Sequence, residues 1–132
     1  MILPSLAALW RGAMVVIGIA VAVGISLFND HASATNRDAV ANDLVHASSI
    51  AQMYRKKPTT QGGGGGSFIG FDLRTAVREL RNMNGTYAVA GAPTDSLIII
   101  EGTGTQPGYD NALPVKVSIR VFGFYTEVNE VN

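Results

Sequence analysis

The sequence predicts an α+β fold, in which a long N-terminal α-helix packs on a small antiparallel β-sheet. The helix is apolar in its first half and amphipathic in its second. Three observations carry this. Residues 12–28 (GAMVVIGIAVAVGISLF) contain no ionisable side chain, and Arg11 is the only charge before Asp30. Residues 37–57 place apolar side chains at helical spacing and stop at Pro58. From Thr86 onward the chain becomes β-branched and alternating, punctuated by Gly-, Pro- and Asn-rich turns. At 132 residues the chain is long enough for one domain plus an appendage. We divide it into an apolar N-terminal helix, 1–35, and a globular domain, 36–132.

The apolar segment admits three readings. A bilayer core of about 30 Å needs about 20 apolar residues in a helix. Residues 12–28 approach that length if Arg11 snorkels to the interface, where Trp10 would suit an aromatic anchor. Arg11 before the run and Asp30 after it favour a cytoplasmic N-terminus. A secretory signal is the second reading, since Ala32-Ser33-Ala34 has the small-residue form of a cleavage site. Its basic region is weak, with Arg11 unusually far in. The third reading is a packing helix in a polymer. Gly12, Gly18 and Gly24 recur every six residues, and each glycine costs about 1 kcal/mol against alanine inside a helix. A pure lipid anchor has little reason to accept three, whereas small residues let helix backbones approach closely. A helix apolar on all sides must be covered on all sides.

Pro4 suits a first helical turn, and nothing forbids helix from Ser5 to Pro58. Asn29–Asn36 is polar and small, the expected place for a kink or a melted turn, with Thr35 or Asn36 available to recap the helix. In helix 37–57, Val40, Leu44, Ala47, Ala51 and Tyr54 form one stripe that Val45 and Ile50 widen. Arg37, Asp38, Asn42, Asp43, Gln52 and Arg55 fall mostly away from it. A continuous helix from Ser5 to Lys57 would be about 80 Å long at 1.5 Å per residue, too long to fold onto one small domain.

Residues 58–67, with five consecutive glycines from Gly62, read as a flexible turn or linker. A phosphate loop is not supported, because no Lys-Ser or Lys-Thr pair follows. Phe68, Ile69 and Phe71 are expected to anchor the returning chain in the core. Asp72 can cap a short helix, 72–83, with Leu73, Val77 and Leu80 on one side. It would end at Asn84-Gly85 in a left-handed cap, although Asn84-Gly85-Thr86 also matches a glycosylation acceptor. Antiparallel strands follow within 86–126. Thr86–Ala90 is short, Ser96–Glu101 (SLIIIE) suits a central strand, and Val115–Thr126 alternates with Val115, Val117, Ile119 and Val121 on one face. A sheet this small needs a helix to cover it.

Formal net charge is zero, and Arg55–Lys57 is the only basic cluster, so no nucleic-acid partner is expected. The absence of cysteine excludes disulfides and thiol chemistry. His31 and His46 lack ligand spacing, and Asp110 and Asn111 read as turn residues. No catalytic, cofactor or metal constellation is expected, and the chain reads as a structural protein.

The order of parts resembles the type IV pilin family of surface filaments, including pseudopilins. VVIGIAVAVGISLFND, a helix ending RKKPTTQGGGGGSF and the later NGTYAV carry the resemblance. It covers most of the chain in layout and is specific in residues around 14–71. It implies a pilin-like fold and an extracellular filament, with a precursor inserted in the inner membrane. It also implies self-association into a helical homopolymer served by a pilus assembly machinery, with adhesion or motility among the roles such filaments take. The implied polymerisation helix comprises Trp10, Arg11, Gly12, Val15, Val16, Ile17, Gly18, Ile19, Val21, Val23, Gly24, Ile25, Leu27 and Phe28. A membrane-anchored minor pilin or secretion pseudopilin is the alternative, and an exported domain with a cleaved signal is a more distant one. The chain departs from the family at position 5, where Ser5 stands in place of the usual glutamate.

Overall fold

The structure is a computed structural model that describes residues 3–132, with side-chain exposure from residue 8 onward. Met1 and Ile2, which begin the expected 1–35 segment, lie outside the described residues. The chain forms two compact units, one ending at Ala32 and the other Ser33–Asn132.

Helix α1 runs Leu3–Lys56. It stays helical through Asn29–Asn36, so the expected melted turn is absent. Ala32 and Ala34 are strong helix formers, and each Ser, Thr or Asn costs only about 0.5 kcal/mol of propensity. A break would leave several backbone groups unmade at about 1 kcal/mol each. Continuity wins.

In the Ser33–Asn132 unit the amphipathic stripe does what its spacing requires. Val40, Leu44, Ala47 and Ala51 are fully buried and Tyr54 packs against the same core. Facing them is a four-stranded antiparallel meander in the order β1 (Gly85–Ala90), β2 (Leu97–Pro107), β3 (Pro114–Phe122) and β4 (Thr126–Glu130). Ile98 pairs with Val121, Ile100 with Ile119 and Gly102 with Val117, so one face of β2 and β3 points to the core. Gly102 makes room for the helix, because a Cβ there would lie 2.6 Å from Val40 Cγ1. Val115, Val117, Ile119 and Val121 are all fully buried, the face their alternation predicts.

Five expectations need correction. The helix over 72–83 is absent: Asp72 caps only a 3₁₀ turn, Leu73–Thr75, its carboxylate accepting from Arg74 N–H at 2.9 Å. Beyond it the chain turns, Leu80 takes φ 55°, its carbonyl accepts from Tyr87 N–H, and Arg81 bridges to Thr86. Pairing with β1 outweighs helix propensity there. Gly85 is not a left-handed cap but the first residue of β1, with Thr103 O pressed where a Cβ would stand. The strand expected to Thr126 ends at Phe122, whose N–H donates to Tyr125 O across a turn, and β4 returns as a fourth strand. Finally, Ile69 is exposed while Phe68 and Phe71 are buried, and Val45 is 45% exposed, off the stripe it was expected to widen.

The glycine run is not a loose linker. It folds back over the end of α1, where helix carbonyls lack partners. Gly64 N–H donates to Tyr54 O at 2.8 Å, Gly65 N–H to Lys57 O at 3.0 Å and Gly66 N–H to Arg55 O at 2.7 Å. Gly66 adopts φ 95°, and a Cβ at Gly64 would collide with the Ser67 carbonyl, so side chains are excluded by geometry.

Candidate functional site

The side chains of residues 8–28 are exposed on every side of α1. Trp10, Val15, Val16, Ile17, Ile19, Val21, Val23, Ile25, Leu27 and Phe28, all expected on the polymerisation helix, are between 52% and 71% exposed. Arg11 is exposed among them. The structure places these residues on one continuous helix and gathers none of them into a pocket. This helix is long and apolar enough to cross a membrane. Burying one such side chain contributes about 1.5–3 kcal/mol, so ten of them rival the ~5–15 kcal/mol net stability of a whole domain. A contiguous apolar surface of this kind marks a membrane or protein contact.

Gly12, Gly18 and Gly24 sit in the same segment, and nothing lies within 4 Å of a Cβ built on any of them. Among the described residues, none comes close enough to require glycine at these positions. At about 100° per residue, each step of six carries the position about 240° around the helix. The three glycines therefore point in three directions about 120° apart. A single small-residue stripe would serve one neighbour; this arrangement admits close approach from three sides.

Polar chemistry in the Ser33–Asn132 unit converges on Asp43. Its Oδ2 accepts from Asn82 Nδ2 and Asn84 Nδ2, each at 2.9 Å, and from the Tyr87 hydroxyl. Burial by itself would raise this carboxyl, but the bonds from Asn84, Tyr87 and Asn82, helped by nearby His46, hold it below its ordinary value. Burial, together with the hydrogen bond and charge of Asp43, pushes the Tyr87 hydroxyl well above its ordinary range. A cleft of about 350 Å³ lies beside Asp43 and His46, with Arg78, Glu79 and Arg81 on its wall. With its donors already in place, Asp43 acts as an acceptor that pins the segment before β1 to α1. Among the described residues no three metal-ligating side chains converge.

Two further positions escaped the sequence reading. Asn36, expected as a cap, is buried; its Oδ1 accepts from Thr105 N–H at 3.0 Å and its Nδ2 donates to Asn84 O at 2.8 Å. It stands four residues before Val40 on the core stripe, which is the signal that could have revealed it. Arg37, expected away from the core, is buried with its guanidinium 3.7 Å from the Tyr109 ring centroid, and its Nε has no partner. The Tyr109 hydroxyl donates to Glu130 at 2.6 Å, a bond that raises its pKa. Asp110 plays the turn role expected of it. It accepts from Ala112 and Leu113 N–H at 3.0 Å, and those bonds lower its carboxyl pKa.

In comparisons with known proteins, no family model, no curated protein and no solved structure matches the chain.

Proposed function

We propose that the chain is the structural subunit of an extracellular, type IV pilus-like filament. Its precursor would be held in a membrane by the N-terminal apolar helix, and assembly would exchange lipid for other copies of the same helix. One observation carries the reading: residues 8–28 are apolar and exposed on all sides, while the Ser33–Asn132 unit closes a core of its own. That unit needs no help from the apolar segment, so the segment serves something outside the chain. Three glycines facing three directions favour several helical neighbours over a single one. The pilin-like layout of the sequence, helix then glycine loop then small sheet, agrees with this reading.

The second reading is a membrane-anchored minor pilin or pseudopilin, favoured by the span-length helix alone. Electron microscopy of material sheared from cells that make the protein, with mass spectrometry of its main band, separates them. Abundant filaments whose subunit contains residues 12–28 are the expected result. Protein found only in the membrane fraction supports the second reading, and a soluble form beginning near Thr35 overturns both.

A further inference from the structure

We infer that neighbouring copies are set in axial register by an ion pair, Arg11 of one copy against Asp30 of another. This rests on the filament reading above. Arg11 and Asp30 are opposite in sign and are the only charged side chains within 8–30. Both are exposed, and neither belongs to an ion pair among the described residues; those pairs are Lys116–Glu101 and Arg120–Glu127.

The two charges bracket the apolar run. Covering that run with other copies removes both from water, and an unpaired charge taken into such surroundings costs several kcal/mol. Within one helix they are 19 residues apart, about 28 Å at 1.5 Å per residue, far beyond the ~4 Å reach of an ion pair. In an assembly that excludes lipid, another copy supplies the partner. A parallel stagger of about 28 Å brings Arg11 of one copy level with Asp30 of another, and it matches the length of the apolar run itself. Apolar runs then tile end to end along the assembly, with the two charges cancelling at each seam. An antiparallel arrangement would satisfy both charges in one closed pair, with a two-fold axis and no site left for growth.

The test uses the full chain in cells, with R11E, D30K and the double reversal R11E/D30K. Sheared filament yield is measured beside the amount and orientation of the membrane-held precursor. Each single reversal should lower filament yield about tenfold, and the double reversal should restore it to within about twofold of the parent. R11K and D30E, which keep the charges, should assemble like the parent. If the two charges served only membrane orientation, the double reversal would invert the positive-inside signal and be the worst of the set. That outcome, or unchanged yield in both single variants, overturns the register. Closed dimers in place of filaments overturn it too. A parent chain that makes no filaments removes the filament reading itself, which separates the two failures.

Discussion

Val16 and Leu44 lie on the same helix and are both branched aliphatic residues. Val16 is 66% exposed, while Leu44 is fully buried between the sheet and its own helix. Around Leu44 the apolar positions form a stripe, because one side of the helix is covered and the other is wet. Around Val16 there is no stripe to find, and the glycines are spread around the axis. Apolar periodicity therefore reports how many sides of a helix will be covered. A striped helix is completed by its own chain, and a helix without a stripe is left for something outside that chain to cover.

Paired substitutions can break this contrast. Leu44→Ala should cost about 2–5 kcal/mol of stability in the Ser33–Asn132 unit, measured by urea unfolding of the full chain in detergent. Val16→Ala should leave that value within about 0.5 kcal/mol and lower filament yield instead. Equal effects in the two assays would dissolve the distinction between the halves.

A smaller effect is expected at Asp43, which ties the amphipathic half to the chain before β1. Asp43→Asn leaves donors from Asn82, Asn84 and Tyr87 competing for a weaker acceptor, at about 1–3 kcal/mol. The sign of the pH dependence follows from the lowered carboxyl. Between its folded pKa and the ordinary value of 3.8 the unfolded chain binds more protons, so stability rises with pH in that window. The contribution is lost as pH falls through the folded value. Acid titration of Asp43→Asn, followed by circular dichroism, should show a shallower acid limb than the parent.

The smallest effect belongs to Gly18→Ala, which sharpens the comparison from the other side. With nothing within 4 Å of the new methyl group, the isolated helix should gain up to about 1 kcal/mol from propensity. Filament yield should nevertheless fall. A Gly18→Ala chain that assembles better than the parent would show that the glycines do not mediate close packing.

The legible parts of the fold were those where one side is covered. The stripe from Val40 to Ala51 and the alternation from Val115 to Val121 both became core, because burial on one side imprints a period on the sequence. β4 carried no such imprint, since its residues from Glu127 to Glu130 are exposed on both faces. Leu73, Val77 and Leu80 have helical spacing, but successive turns present the same residues to the core, and pairing of Arg81 with Thr86 decides the backbone. The glycine cap was hidden because its bonds run from backbone to backbone. The sequence offers Asn36 as a cap and sets Arg37 and Asp43 away from the stripe, although Asn36 and Asp43 stand at helical spacing from Val40. As for the candidate site, the apolar run was visible in the sequence as a block without charge. The surroundings of its glycines emerged only from the structure.

The distances along the chain between bonded residues have a consequence for how the protein is made. The glycine cap joins residues 54–66 and can close while synthesis is still under way. Asn36 and Gln52, by contrast, bond to Thr105 and Phe122, which are 69 and 70 residues further on. The sheet that covers the helix stripe is thus translated late, and a chain growing at about 5–20 residues per second spends several seconds with Val40, Leu44, Ala47 and Ala51 uncovered. During those seconds the apolar first half of α1 and the apolar stripe of its second half are both unsheltered. Early delivery of the nascent helix to a bilayer would remove the more hazardous half before the other has anything to fold against.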